Sequence, residues 1–301
     1  MQGVGAVSYT TTHRKRWRRH GADFGAPSGV EGLQVWFQAE HSFGHGKASD
    51  DDVVTLWEPM IDNTGMGVEL EDQGHTDPTV DTSTMGSNGR EVISIDAGTA
   101  SHTRSIGMRD TQADWGDIIC GENEANAIIF TFRCDDVTDA SIFSCLGSGA
   151  SSVGSSGYRG FDFRINNSKI DARRKDTDNS ARTTAGITIA NNTDYVVCMV
   201  FEHGEDTIHL FVDGSSHAQY YSQYVDLGGK SAKPTDGDAG NLNIQGINSA
   251  SNTSWTVPAM ISDYLIYHRQ ADFTNAEINK IGSYLANRIG STWTDITELA
   301  T

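Results

Sequence analysis

The sequence predicts an all-β fold in which antiparallel strands form two stacked sheets or a barrel, closed by one α-helix near the C-terminus. Three observations carry that prediction. Short runs with alternating apolar and polar residues recur along the chain, most of them bracketed by Gly, Asn, Asp or Ser, the pattern of strands joined by turns. Glycine is abundant, at 32 of 301 residues, beside frequent Ser, Thr, Asn and Asp; these residues favour turns over helix interiors. A sustained helical period occurs at one place, close to the C-terminus. Length does not split the chain, because β-sandwiches of roughly 200–250 residues form single domains.

Residues 1–30 read as an extended basic arm, rich in Gly, Ser, Thr and Arg and bounded by Ala26-Pro27-Ser28-Gly29. Residues 31–301 read as one folded body, which begins near Gly32 with a strand over 33–37. A polar loop over 41–52 precedes an extended stretch over 53–57. Further strands are expected over 92–95, 127–132, 141–146, 160–165, 187–190, 195–201, 207–212, 242–247 and 261–267. Asp213-Gly214 directly after the run 207–212 predicts a type I′ hairpin returning over 217–221, since Asp-Gly tolerates the positive φ angles of that turn. Near the end, Thr274 and Glu277 make a capping box, Phe273 and Ile278 a hydrophobic staple, and Gly290 a C′ stop. Between them Ile278, Ile281, Leu285 and Ile289 form one apolar stripe.

The formal charge of −18 is unevenly spread. Arg14, Lys15, Arg16, Arg18 and Arg19 stand against the single acid Asp23 in residues 1–30, so the arm carries +4 and the remainder −22. So acidic a body repels nucleic acid and anionic membranes, whereas the arm attracts acidic partners. The expectation is therefore docking of Arg14, Lys15, Arg16, Trp17, Arg18 and Arg19 onto a protein surface, with nucleic acid disfavoured and no membrane partner. No apolar run approaches the ~20 residues of a membrane span. The basic stretch leads into Gly21-Ala22-Asp23-Phe24-Gly25 rather than an apolar signal core, so export of the chain on its own is not expected. Cys120, Cys134, Cys145 and Cys198 form no CxxC pair. All but Cys120 sit in apolar strand-like runs, where a free thiol behaves as a small hydrophobe.

Several segments carry a family resemblance. Leu33-Gln34-Val35-Trp36-Phe37-Gln38-Ala39 resembles the opening strand, LxxWLDA, of the laminin-G-like branch of the concanavalin-A-like lectin/glucanase superfamily. The segment from Val54 through Trp57 and Asp62 to Gly65 is similar to its VxxWxDxSG stretch. Leu210-Phe211-Val212-Asp213-Gly214 resembles its lyvDG hairpin, Met260 to Arg269 its IAEVLVYNR strand, and Phe273 to Ile289 its closing helix. The matches span about residues 33 to 290. The resemblance implies an antiparallel jelly-roll β-sandwich of concanavalin-A-like type, with one concave sheet in relatives that bind glycans. It does not settle function, because relatives include lectins, glycosidases, adhesion modules and virion proteins.

The glucanase branch carries its paired carboxylates as ExDxxE on one strand, where alternate residues share a face. Here Glu69-Leu70-Glu71-Asp72 and Glu91 with Asp96 are the nearest groupings and have the wrong spacing; no catalytic residue and no enzyme activity is expected. Nor does the chain hold a Gly-x-Ser-x-Gly elbow, a P-loop or His-Glu-x-x-His. His41, His45 and His75 show no fixed spacing that would mark a metal cluster. No cofactor is expected; calcium is the one metal considered, with Asp50 and Asp52 or Asp236 and Asp238 as hard oxygen ligands, although Asp-Gly turns are common without metal. Glycan binding needs exposed flat rings beside hydrogen-bonding groups. Trp115, Tyr158, Tyr220, Tyr221, Tyr224 and Trp255 lie in loop-like or edge-like contexts and are the candidates, whereas Trp36 and Trp57 belong to the core.

A recognition fold without an export signal reaches the outside if it is assembled into a virus particle that lyses its host. The functional expectation is a non-enzymatic virion structural protein, a bacteriophage capsid decoration or appendage protein assembled in the host cytoplasm and displayed on the virion surface. Its arm would dock it to other virion proteins such as the major capsid protein, as a homo-oligomer, and its sandwich would offer a glycan-binding surface for host attachment. The alternatives are a stand-alone carbohydrate-binding module or lectin, and a divergent glycoside hydrolase.

Overall fold

The structure, a computed structural model, describes residues 27–41, 49–65, 68–72, 78–95, 104–108, 124–137, 141–147, 160–175, 181–202, 207–220, 241–246 and 259–299. Among them are nineteen strands: β1 (Leu33–Gln38), β2 (Leu56–Trp57), β3 (Ile61–Asp62), β4 (Leu70–Asp72), β5 (Thr79–Met85), β6 (Arg90–Ile95), β7 (Arg104–Met108), β8 (Ala125–Cys134), β9 (Ser141–Gly147), β10 (Gly160–Asn166), β11 (Lys169–Lys175), β12 (Ala181–Thr183), β13 (Ile187–Thr188), β14 (Tyr195–Glu202), β15 (Thr207–Val212), β16 (Ser215–Tyr220), β17 (Asn241–Gly246), β18 (Ala259–Ile261) and β19 (Asp263–Arg269). Helix α1 follows at Asn275–Ile289. Ten of these strands form one sheet, ordered β16-β15-β14-β8-β18-β6-β5, with β19, β1 and β3 continuing from β8. Nine form the other, ordered β12-β11-β10-β9-β17-β7-β4-β2 with β13 beside β11. Every pairing described is antiparallel.

The central strands of the ten-stranded sheet are buried on both faces, and their sequence says why. β8 reads ANAIIFTFRC, nearly continuous in apolar residues instead of alternating. Ile128, Phe130 and Phe132 point one way, into a core shared with Phe163, Ile165 and Ile170 of the nine-stranded sheet. Ala127 and Ile129 point the other way, into a core built with Ile278, Ile281, Leu285 and Ile289 of α1. β14 divides alike: Val197, Met199 and Phe201 face the second sheet, Val196, Cys198 and Val200 the helix. A strand with two apolar faces must lie between layers, because either face left in water would forgo roughly 1.5–3 kcal/mol per large side chain. The chain is packed into the helix-side core from Pro27 on, where Val30 is buried and Tyr267 Oη donates to the Pro27 carbonyl at 3.1 Å.

The helix forms as its caps dictate. Thr274 is the N-cap, its side chain accepts from Glu277 N, and Glu277 in turn accepts from Thr274 N at 2.9 Å. Phe273 and Ile278, the staple pair, are both fully buried in the helix-side core. Gly290 takes the left-handed conformation at φ 72° and its N–H meets the Ala286 and Asn287 carbonyls. Two asparagines one turn apart then strap the following segment along the helix: Asn279 Oδ1 accepts from Trp293 Nε1 at 3.0 Å and Ile296 N at 2.8 Å, and Asn275 exchanges hydrogen bonds with the Leu299 backbone. No helix among the described residues is long and apolar enough to cross a membrane.

The hairpin predicted at Asp213-Gly214 is present. Val212 pairs with Ser215, leaving a two-residue loop with φ 51° at Asp213 and 82° at Gly214. The strand expected over 261–267 is instead broken at Ser262 into β18 and β19, which share β8 on one side while diverging to β6 and β1 on the other. The stretch over 53–57 narrows to β2, with Val53 making an isolated bridge to Thr79. Likewise 187–190 narrows to β13, and β3, β4, β5, β7, β11 and β12 appear where no strand was expected.

Candidate binding surface

With both faces of the central strands of the ten-stranded sheet filled, the outer face of the nine-stranded sheet is the candidate surface for a partner. Alternation from the buried Phe163, Ile165, Ile170 and Ala172 assigns Arg164 on β10, and Lys169 and Asp171 on β11, to that outer face. The register builds two rows across five strands there. One runs Asn243, Cys145, Asp162, Arg173, Thr183; the other runs Asn241, Gly147, Gly160, Lys175, Ala181. On the same face Arg164 grips Asp171, with Nη2 2.8 Å from Oδ2 and Nε 3.2 Å from both oxygens. Lys169 and Thr188, paired across β11 and β13, are exposed.

Most residues singled out from the sequence lie outside the described ones: Arg14, Lys15, Arg16, Trp17, Arg18, Arg19, Trp115, Tyr158, Tyr221, Tyr224, Asp236, Asp238 and Trp255, with His45 and His75. Tyr220 ends β16, opposite Thr207 in the register. Asp50 and Asp52 are both engaged by the fold: Asp50 Oδ1 accepts from Thr82 N of β5 at 2.7 Å and Thr82 Oγ1 at 2.9 Å, and Asp52 Oδ2 accepts from Ser49 N of its own loop at 2.7 Å. The Thr82 donors hold the Asp50 carboxyl below its ordinary range. No group of three metal-ligating side chains occurs among the described residues. Glu69-Leu70-Glu71-Asp72 runs through β4, with Leu70 buried in the inter-sheet core and Glu71 opposite Leu56 and Gly107. Trp36 and Trp57 are core residues, in different cores, with indole N–H groups donating to Asp263 Oδ1 and the Gln38 carbonyl.

Sequence reasoning missed three polar clusters, and all three are welded into the fold. Glu202 and His209, cross-strand diagonal neighbours on β14 and β15, meet at 2.6 Å with both side chains fully buried. Asp263 is also fully buried; besides Trp36 it accepts from Gln38 Nε2 at 3.1 Å and Arg288 Nε at 3.2 Å, and Arg288 continues to Glu40, which pairs with Arg90. At the far end of β19, His268 Nε2 pairs with Glu124, both partly exposed. Each is a buried or half-buried charge with partners, as such groups must be. In Glu202–His209 and Asp263 the carboxylate is out of reach of a substrate. Cys134 and Cys198 are free and buried, and burial pushes the Cys134 thiol up to about 12 and Cys198 well up; neither is a nucleophile at neutral pH.

The sequence matches no family model and no curated protein. Solved structures do share the fold. The binding domain of Paraclostridial Mosquitocidal Protein 1 superposes with a TM-score of 0.55 at 11% identity, covering 85% of this chain and 53% of that one. The receptor binding domain of botulinum neurotoxin D gives 0.52 at 12% identity, covering 83% and 52%. A structure of botulinum neurotoxin type C, described by its interaction with two ganglioside molecules, gives 0.51 at 11% identity, covering 84% and 51%. The chain thus spans about half the length of these structures, and at such identity the likeness is one of fold: an antiparallel β architecture that these relatives in shape use in binding domains.

Proposed function

We propose that this chain is a non-enzymatic recognition domain, a concanavalin-A-like, laminin-G-like jelly-roll sandwich that binds a glycan on the nine-stranded sheet or its bordering loops. The observation that carries the reading is the two-sided burial of the central strands of the ten-stranded sheet, which directs a ligand to the other sheet or to the loops. Polar positions share the two register rows of that other sheet with the adjacent Gly147 and Gly160, a composition suited to hydrogen-bonding hydroxyls on a flat polymer. The neighbours in fold are binding domains, and one is described by its interaction with gangliosides. A glycan array probed with the full chain tests the reading, with a reducing-sugar assay on β-glucans beside it. Binding without turnover agrees with it; turnover abolished by replacing a carboxylate pair would put the divergent hydrolase in its place.

A second reading rests on the charge contrast between the basic segment Arg14–Arg19 and the acidic remainder. In it the same sandwich is an appendage on a virion surface, docked by that segment to a capsid protein as a homo-oligomer. Comparing the full chain with one beginning at Gly32 for coating of candidate capsids separates the two: coating by the full chain alone supports docking, and glycan binding by both without coating supports the lectin.

A further inference from the structure

The ten-stranded sheet forks at Ser262. Up to Ile261 the chain runs between β8 and β6, and from Asp263 on it runs between β8 and β1. The turn over Ala39–His41 enters the fork, where Ala39 N donates to the Ser262 carbonyl at 2.8 Å. Four charged side chains from four elements meet there on the helix side: Arg90 from β6, Glu40 from the turn, Asp263 from β19 and Arg288 from the last turn of α1. They step outward, with side-chain exposures of 0% at Asp263, 16% at Arg288, 23% at Arg90 and 30% at Glu40. Glu40, the outermost, bridges the two guanidinium groups, pairing with Arg90 and lying 3.8 Å from Arg288 Nη2. That bridge is incomplete. Arg90 Nε, Arg288 Nη2 and Ser262 Oγ are all buried and have no hydrogen-bond partner. Buried polar groups are ordinarily paired, charged ones above all, so three unmet ones in a single cluster mark a place for a further acceptor.

We infer that the fork is a binding site for a tetrahedral oxyanion, a phosphate or sulfate group held between Arg90 and Arg288, and that Glu40 is the displaceable carboxylate that occupies the two arginines without it. Two arginines against Glu40 and Asp263 sum to zero, and Glu40 turned out to solvent leaves one net positive charge for the incoming group. An ion pair as exposed as Arg90–Glu40 contributes little, so exchanging it costs little. A tetrahedral group offers at least three acceptor oxygens to donors arriving from different elements, whereas Glu40 offers two and is tethered to its turn. Arg288 is held in place beforehand: Nε donates to Asp263 Oδ2 at 3.2 Å, and the guanidinium carbon lies 5.9 Å from the centre of the Tyr284 ring. Little side-chain freedom is therefore lost on binding. The negative end of α1 is already met, since Asn88 Nδ2 donates to the Asn287 and Arg288 carbonyls. This site goes beyond the glycan reading. It lies on the helix side of the ten-stranded sheet, whereas the nine-stranded sheet packs on the other side, so either can fail without the other.

The test is isothermal titration calorimetry of the full chain at constant ionic strength with inorganic phosphate, N-acetylglucosamine 6-sulfate, the unsulfated sugar and acetate. Glu40→Gln removes the competing charge. Arg90→Lys keeps a cation beside Glu40 but loses the Nε donor and the planar fork, and near-ultraviolet circular dichroism is the folding control. The expected result is phosphate binding that E40Q tightens about tenfold or more, by relief of like-charge repulsion, and that R90K weakens about tenfold or more, by loss of charge-assisted hydrogen bonds. Should R90K fold poorly, the gain in E40Q carries the test, because losing an ion pair that only held the fold together would not tighten binding. Phosphate binding alone marks the ligand as the free ion; the sulfated sugar binding in the same pattern, with its neutral form silent, marks an ester on a larger molecule, and both uphold the site. Neither probe binding to the parent or to E40Q, or E40Q binding like the parent, overturns it. Acetate binding as tightly as phosphate overturns the ligand class.

Discussion

Replacing Gly86 by alanine tests the contact that locks the helix layer to the sheet. Gly86 opens the turn between β5 and β6 at φ 68°, and a Cβ built there would sit 1.5 Å from the carbonyl oxygen of Ile289 and 2.4 Å from its carbon. No rotamer relieves a clash with backbone, so the turn must move off the end of α1 by about 2 Å to reach ordinary van der Waals contact. That displacement breaks the bonds by which Asn88 Nδ2 caps the Asn287 and Arg288 carbonyls at 2.8 and 3.2 Å, and the bond from Gly86 N to Asp194 Oδ2 at 2.8 Å. At roughly 1 kcal/mol for each of the three bonds and about 1–2 kcal/mol for a left-handed alanine, G86A should lose about 4–5 kcal/mol. Gly65 supplies the control. It has φ 73° and nothing within 4 Å of the place a Cβ would occupy, so G65A should lose only the conformational part. Urea unfolding followed by tryptophan fluorescence measures both. A G86A loss no larger than that of G65A would refute the docking of this turn on the helix end.

Three further outcomes follow from the same structure. Asp263→Ala removes a fully buried carboxylate and strands Arg288 and the Trp36 and Gln38 donors; breaking such a buried set should cost about 3–5 kcal/mol, and a change under about 1 kcal/mol in urea unfolding would contradict the network. Stability should depend on pH in two opposite ways. Hydrogen bonding from Arg269 lowers the Glu277 carboxyl from 4.5 to about 2, so its stabilisation is complete above about 4.5 and fades as pH falls toward 2, a fade E277Q should abolish. Burial raises Asp213 from 3.8 to about 6, so its contribution is complete below about 3.8 and is lost as pH rises through 6, and D213N should gain on the parent between those values. Parallel profiles of parent and variants would count against both. Finally, iodoacetamide at pH 8 should leave Cys134 and Cys198 unlabelled in the native chain and label both in urea, as peptide mapping would show; prompt native labelling would mean that the strands bearing them are open.

How much of this was legible in the sequence depended on what each residue pattern encodes. The apolar runs of β8, β14, β15 and β19 were readable because burial on two faces leaves a continuous signal. The helix was readable because its caps are local: Thr274, Glu277 and Gly290 make their bonds within one turn of the chain. The break at Ser262 was not, since it arises where β8 hands its neighbour from β6 to β1, and both partners are distant in sequence. β5, reading TVDTSTM, was missed because its polar positions hide the alternation, although Val80 and Met85 are fully buried.

The candidate surface was the least legible part for a related reason. Glycan-binding rings were sought in loops, where aromatic residues stand out against a polar background, but the cations of β11 look in sequence like an ordinary charged run. What makes KIDARRK a strand is the turn before it. Asn167 at φ 50° and Ser168 at φ 61° form a two-residue hairpin loop between Asn166 and Lys169, and only asparagine of the two advertises a left-handed conformation. Once that turn is fixed, the period of two does the rest: Ile170 and Ala172 go inward because the inter-sheet core needs them, so Lys169 and Asp171 must share the other face. A slip of one residue would turn Lys169 and Asp171 inward and expose the apolar pair. The packing that holds the sandwich together therefore also decides which positions of β11 face outward, and a surface that looks accidental in composition is fixed in geometry by the core beneath it.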